Sequence, residues 1–172
     1  MKSMKNKGFT IVESLVAITV LVLVITGTAS AIQTSISSYI FSKDQIIAFY
    51  LAQEGFEQVR NIRDENALVG RNWLTNLDPC LTSNGCYVDV LKPNPLPSSC
   101  GTNCPVINQN QNNGFYGYDE GQDWKPTVFN RRIVMQQINS REVSITVTID
   151  WSKGVTARQF RAKENLLNWQ QQ

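Results

Sequence analysis

The chain opens on an apolar block that has no polar face. Residues 15–25 read Leu-Val-Ala-Ile-Thr-Val-Leu-Val-Leu-Val-Ile, interrupted only by Thr19. From Phe9 to Ala29 the block has 21 residues, and from Phe9 to Ser42 the one charged residue is Glu13. At about 1.5 Å of rise per residue, a helix of that length crosses a ~30 Å hydrocarbon core. Lipid offers the backbone no hydrogen-bond partners, so even these β-branched residues are expected to be helical. Beyond residue 30 the apolar pattern narrows to a stripe. Ile32, Ile36, Ile40, Ile47, Leu51, Val59 and Ile62 recur at helical spacing, with Lys43–Asp44 and Gly55 filling the missing turns. No proline interrupts residues 9–78, and Asn61-Ile62-Arg63-Asp64-Glu65-Asn66 is polar enough to be an exit. The pattern predicts one helix from about Thr10 to Asn66, lipid-embedded in its first half and amphipathic in its second.

Period two appears only near the other end. Val143, Ile145, Val147, Ile149 and Trp151 alternate with Ser144, Thr146, Thr148 and Asp150, which predicts a half-buried strand. Ser152-Lys153-Gly154 reads as a hairpin loop, with Val155 to about Ala162 returning as the partner strand. Phe129 to Ile138 supplies a third strand, turning at Asn139-Ser140-Arg141. Three antiparallel strands with one apolar face need a cover, and the helix stripe at 47–62 is available. The expected fold class is α+β: a long N-terminal helix packed on a small C-terminal antiparallel sheet.

Between these elements the chain reads as irregular. All 6 prolines fall between Pro79 and Pro126, together with Asn84-Gly85 and the tract Asn108-Gln109-Asn110-Gln111-Asn112-Asn113-Gly114. Four cysteines lie here: Cys80, Cys86, Cys100 and Cys104. In an exported domain disulfides are the default, and four cysteines allow three pairings. The local ones are favoured, Cys80–Cys86 around the Asn84-Gly85 turn and Cys100–Cys104 around Gly-Thr-Asn. A zinc site of four thiolates is the rival, but C-x5-C and C-x3-C spacings fit zinc knuckles poorly. Asp119, Glu120 and Asp123 suggest calcium without matching an EF-hand loop, so a solvated turn is the expectation. No metal and no cofactor is expected.

Charge changes the picture in three places. The chain contains no histidine, which removes the commonest general base and the Ser-His and Cys-His nucleophile pairs. No remaining spacing selects a nucleophile, so an enzyme is not expected. The net charge of +2 hides a split, because residues 9–124 carry −6 and residues 125–172 carry +5. Arg131, Arg158 and Arg161 neutralising the acidic helix and loop, or solvated, is the preferred account of that +5. Docking between subunits comes second. Nucleic acid is unlikely as a partner, since a nucleic-acid footprint is strongly basic overall. Finally, Lys2, Lys5 and Lys7 precede the apolar block and the next basic residue is Lys43. The positive-inside rule then keeps the N-terminus in the cytoplasm and sends the rest across.

Glu13 is the residue that needs a reason. A carboxylate inside an apolar span costs about 2.5–3.5 kcal/mol on insertion scales and usually has a partner. No basic side chain lies between Ser14 and Ser42. A cut between Gly8 and Phe9 would create one, the Phe9 α-amine, four positions earlier on the same helical face. The stretch Lys7-Gly8-Phe9-Thr10-Ile11-Val12-Glu13-Ser14-Leu15 resembles the cleavage and methylation signature of type IV pilins and type II secretion pseudopilins. The resemblance implies cleavage after Gly8 by a prepilin peptidase, N-methylation of Phe9, and Glu13 as the glutamate that pairs with an N-terminal amine during filament assembly. Ser30 stands where many major pilins have a helix-breaking proline. Pro126-Thr127-Val128-Phe129-Asn130-Arg131 and Leu166-Leu167-Asn168-Trp169 are more diffusely similar to V-type minor pilins.

The organisation that follows is a leader peptide at 1–8, a transmembrane half-helix at 9–30 and an exported amphipathic half-helix at 31–66. A disulfide-containing irregular region at 67–126 and the sheet with its tail at 127–172 complete it. By resemblance the partners are other pilin or pseudopilin subunits, prepilin peptidase, an inner-membrane assembly platform, and membrane lipid before assembly. The location implied is the cytoplasmic membrane and then an extracytoplasmic filament. A secretory signal is the competing reading: Leu15–Gly27 serves as its apolar centre and Ala29-Ser30-Ala31 as its cleavage site. It would release a soluble binding domain beginning at Ile32.

Overall fold

The computed structural model describes residues 8–168. A single helix, α1 (Ile11–Leu68), begins the fold and ends two residues beyond the expected exit at Asn66. The chain forms two compact units that part between Asp44 and Gln45. In the first unit α1 is the whole of the described secondary structure, and none of its residues is buried. It passes through Gly27–Ser30 without interruption.

In the second unit the rest of α1 buries Ala48, Leu51, Ala52, Gly55, Phe56, Val59 and Ile62, which recur every three or four residues along one face. That face covers an antiparallel sheet built around β5 (Trp124–Asn139), β6 (Glu142–Lys153) and β7 (Thr156–Leu167). Phe129, Ile133 and Met135 of β5 and Val143, Ile145, Val147, Ile149 and Trp151 of β6 are buried with the helix stripe in one core. Each fully buried aliphatic side chain there contributes about 1.5–3 kcal/mol. Gly55 is placed by this contact. A Cβ there would meet Val147 Cγ1 at 3.3 Å and the Arg131 side chain at 3.4 Å, so the missing side chain lets the helix backbone approach the sheet.

The sheet is larger than the three strands the alternation predicts. β1 (Cys86–Tyr87), β2 (Ser98–Ser99), β3 (Val106–Asn110) and β4 (Tyr116–Gly117) bring it to seven, all within the stretch expected to be irregular. At 16 residues β5 is long enough to use both edges. Its first half pairs with β3 and Ile133 pairs with β1 on one side, while Phe129 to Asn139 pair with β6 on the other. The Asn-rich tract is therefore strand as far as Asn110 and turn beyond it. β7 extends to Leu167, five residues past the expected end at Ala162. Gly85, at φ 72°, makes the turn into β1; a Cβ there would lie 2.6 Å from the Ile133 carbonyl oxygen.

Candidate functional site

The N-terminal signature lies at the start of α1. Lys2, Lys5 and Lys7, with the rest of the leader before Gly8, lie outside the described residues, as does Trp169. Gly8 has no non-neighbouring atom within 4 Å of a built Cβ, and Phe9 is 73% exposed. Thr10 caps the helix. Its Oγ1 accepts from the Glu13 backbone N–H at 3.2 Å, and its carbonyl accepts from the Ser14 N–H at 3.1 Å. Glu13 thus falls in the first turn, where a carboxylate meets the positive end of the helix dipole. Thr10-x-x-Glu13 is the spacing of a capping box, a signal the sequence itself carries.

Polar side chains deeper in the apolar block are satisfied by their own helix. The Ser14 hydroxyl donates to the Thr10 carbonyl, Thr19 to Leu15, Thr26 to Val22 and Thr28 to Val24, all four residues back. These are all the hydroxyls between Ile11 and Ala29. The Glu13 carboxylate has no hydrogen-bond or ion-pair partner among the described residues. It is the one polar side chain of that stretch left open. An 18-residue window of α1 has a mean hydropathy of 2.4 and no buried residue, so the helix is long and apolar enough to cross a membrane.

The cysteines belong to the second unit. They pair as Cys80–Cys86, joining a short 3-10 helix (Asp78–Leu81) to β1, and as Cys100–Cys104, closing the turn after β2. Cys80 and Cys86 are fully buried in the core. Asp119, Glu120 and Asp123 sit on an exposed turn. Among the described residues no group of three or more His, Cys, Asp or Glu is arranged to hold a metal ion.

The charge asymmetry divides in two. Arg131 is buried, ion-paired with Glu54, and donates to the carbonyls of Leu51 at 3.1 Å and Val88 at 2.7 Å. It therefore fastens helix, loop and β5 to one another. Burial pushes the neighbouring Tyr118 phenol above its ordinary pKa, with the Arg131 charge offsetting part of the rise. Arg60 reaches Glu57 and Glu164; partial burial works against its charge, but the two carboxylates prevail and raise its pKa. Arg161 does not join this network: it is exposed on β7 and has no partner among the described residues. Parity marks Arg131 as inward, since it shares the alternation of Phe129 and Ile133, but hydropathy alone does not.

With this geometry in place, comparison with known families gives one match. Residues 3–29 match the prokaryotic N-terminal methylation motif. The chain carries the N-terminal signature of type IV pilins and pseudopilins, a structural rather than an enzymatic class. No curated protein and no solved structure matches the chain.

Proposed function

We propose that this protein is a structural subunit, a minor pilin or pseudopilin, of a type IV pilus-like filament. Prepilin peptidase cuts after Gly8 and methylates the Phe9 amine. The chain waits in the cytoplasmic membrane with its N-terminus inside, then passes through an inner-membrane assembly platform into an extracytoplasmic filament of pilin-like subunits. Apolar packing of α1 drives assembly, and Glu13 of one subunit pairs with the N-terminal amine of a neighbour.

The observation that carries this reading is the isolation of Glu13. Between Ile11 and Ala29, where every hydroxyl is satisfied by the helix itself, one carboxylate inside the methylation motif is left open among the described residues. The capping interaction uses the Glu13 backbone N–H, so it leaves the carboxylate free for an amine.

The decisive experiment is mass spectrometry of the mature N-terminus on protein from its native host. N-methylated Phe9 is the expected result. A chain beginning at Ile32 would overturn the proposal in favour of a secreted binding domain. That second reading has one observation in its favour: the buried core runs from Ala48 to Leu166, so a cut after Ala31 leaves it whole.

A further inference from the structure

Near the C-terminal end of α1, the helix, the turn that follows it and the loop at 94–96 line a cavity of about 480 Å³ within the second unit. Three exposed asparagines reach it from three separate segments: Asn61 from α1, Asn76 from the turn and Asn94 from the loop. None of their carboxamides has a hydrogen-bond partner among the described residues. Free carboxamides occur elsewhere on the surface; what sets these apart is that one cavity gathers all three. Two buried amides fix its walls. Gln58 Nε2 donates to the Pro95 carbonyl at 3.3 Å and ties the loop to the helix. Asn66 Nδ2 donates to the Thr75 carbonyl at 2.7 Å and ties the turn to the helix. Asn76 sits in the left-handed region at φ 67°, a conformation asparagine tolerates better than most residues. The open asparagines therefore stand on segments already held in place, and a ligand has little backbone to order.

The chemistry of the lining narrows the ligand. Glu65 and Arg71, its two ionisable residues, are paired with each other at 3.4 Å, so the lining carries no net charge. A phosphate, a carboxylate or an ammonium group would find no free counter-charge there. Each carboxamide offers an acceptor oxygen and a two-proton donor, which matches a hydroxyl group, itself both donor and acceptor. Ile62, Pro95 and Leu96 add an aliphatic surface for the C–H face of a sugar ring. An extended peptide would need a strand edge to pair its alternating N–H and C=O groups, and every lining residue lies in helix, turn or loop.

We propose that this cavity binds a neutral saccharide, whose hydroxyls hydrogen-bond to the carboxamides of Asn61, Asn76 and Asn94. The inference goes beyond the filament reading, because it gives the second unit a ligand of its own. The cavity lies wholly after Gln45, so it is the same whether the mature chain begins at Phe9 or at Ile32.

Saturation-transfer NMR on the full-length chain, in nanodiscs of phosphatidylethanolamine and phosphatidylglycerol with no sugar-based detergent, tests this directly. The probes are lactose, maltose, cellobiose and N-acetyllactosamine; sialyllactose and a capped alanine tetrapeptide are the anionic and peptide comparators. At least one neutral disaccharide is expected to bind with a dissociation constant of about 1 mM or tighter. Asn61→Ala and Asn94→Ala should each weaken that binding about two- to tenfold, and the double variant about tenfold or more. Gln53→Ala removes an exposed amide of α1 outside the cavity and should change nothing. Disulfide content and the urea midpoint, read on every variant, separate loss of binding from loss of folding. Three results overturn the proposal: no neutral disaccharide bound, binding that survives the double variant, or tighter binding of sialyllactose or the peptide than of every neutral disaccharide. Failure of the filament reading is registered separately, as a mature chain beginning at Ile32, and leaves the saccharide result to be judged on its own.

Discussion

The two parts of α1 are one element by geometry and two by environment. Before Asp44 no residue is buried and apolar side chains point outward on every side. From Gln45 onward nine residues of the helix are buried, and the remaining faces mix polar residues with exposed Ile46, Phe49 and Tyr50. Propensity does not separate them, because both are helical. What separates them is the partner each is written for: an all-round apolar surface needs an apolar solvent, whereas a stripe needs one covering layer. Polar groups follow the same division. In the first part the hydroxyls of Ser14, Thr19, Thr26 and Thr28 turn back onto their own helix, while in the second Asn66 and Gln58 reach out to the carbonyls of Thr75 and Pro95.

The sharpest way to break this comparison is to change the one open polar group of the first part. Glu13→Gln keeps the Thr10 cap, which uses only the backbone, and removes the charge. Insertion and cleavage should persist, while incorporation into sheared filaments falls at least about tenfold. Normal filaments from Glu13→Gln would show that the carboxylate serves no pairing role. In the second part the largest effect belongs to Arg131→Ala, which strands Glu54 and two carbonyls. It should cost about 3–5 kcal/mol in denaturant unfolding with the disulfides intact. A midpoint close to that of the unaltered chain would mean that the ion pair is dispensable.

The two glycines of α1 sharpen the contrast further. Gly55→Val forces a side chain against Val147 and should destabilise by about 1–3 kcal/mol. Gly27 has nothing within 4 Å, so Gly27→Val should leave the unfolding midpoint unchanged. Equal effects would mean that the helix does not lie on the sheet where these contacts place it. The smallest effect is a pH dependence at Tyr118. Its phenol has a pKa above the ordinary 10.0 because burial favours the neutral form. The stability it contributes is complete below about pH 10 and is lost as pH rises from there toward the folded value. Tyr118→Phe should flatten that alkaline decline in urea midpoints; an unchanged slope would assign it to other groups.

Much of this could be read from the chain, and the exceptions have physical causes. The helix announced itself through length and period, and Val143–Trp151 through alternation, because in both cases burial selects one face. β3 stayed hidden because Ile107 is its only buried residue. Its backbone bonds to β5 hold it, and a strand with one buried side chain leaves no alternation. The two-residue strands β1, β2 and β4 are too short for any period. At the N-terminus, Gly8, Phe9 and Glu13 stood out by residue type and spacing. Thr10 does not stand out in the same way, because residue type alone does not distinguish a capping hydroxyl from an incidental one. Residue type groups Arg131 with Arg158 and Arg161 as internal neutralisers or solvated cations, and only the register separates inward Arg131 from outward Arg161.

The self-satisfied hydroxyls of the first half-helix also have a mechanical side. In a bundle of such helices the hydroxyls from Ser14 to Thr28, each already donating to its own backbone, have no proton left for a neighbour. Sliding one helix along another then breaks nothing directional; it exchanges one set of dispersion contacts for a similar set. Under tension such a bundle yields by creep between smooth rods, and Glu13 is the single catch that fixes where each rod comes to rest.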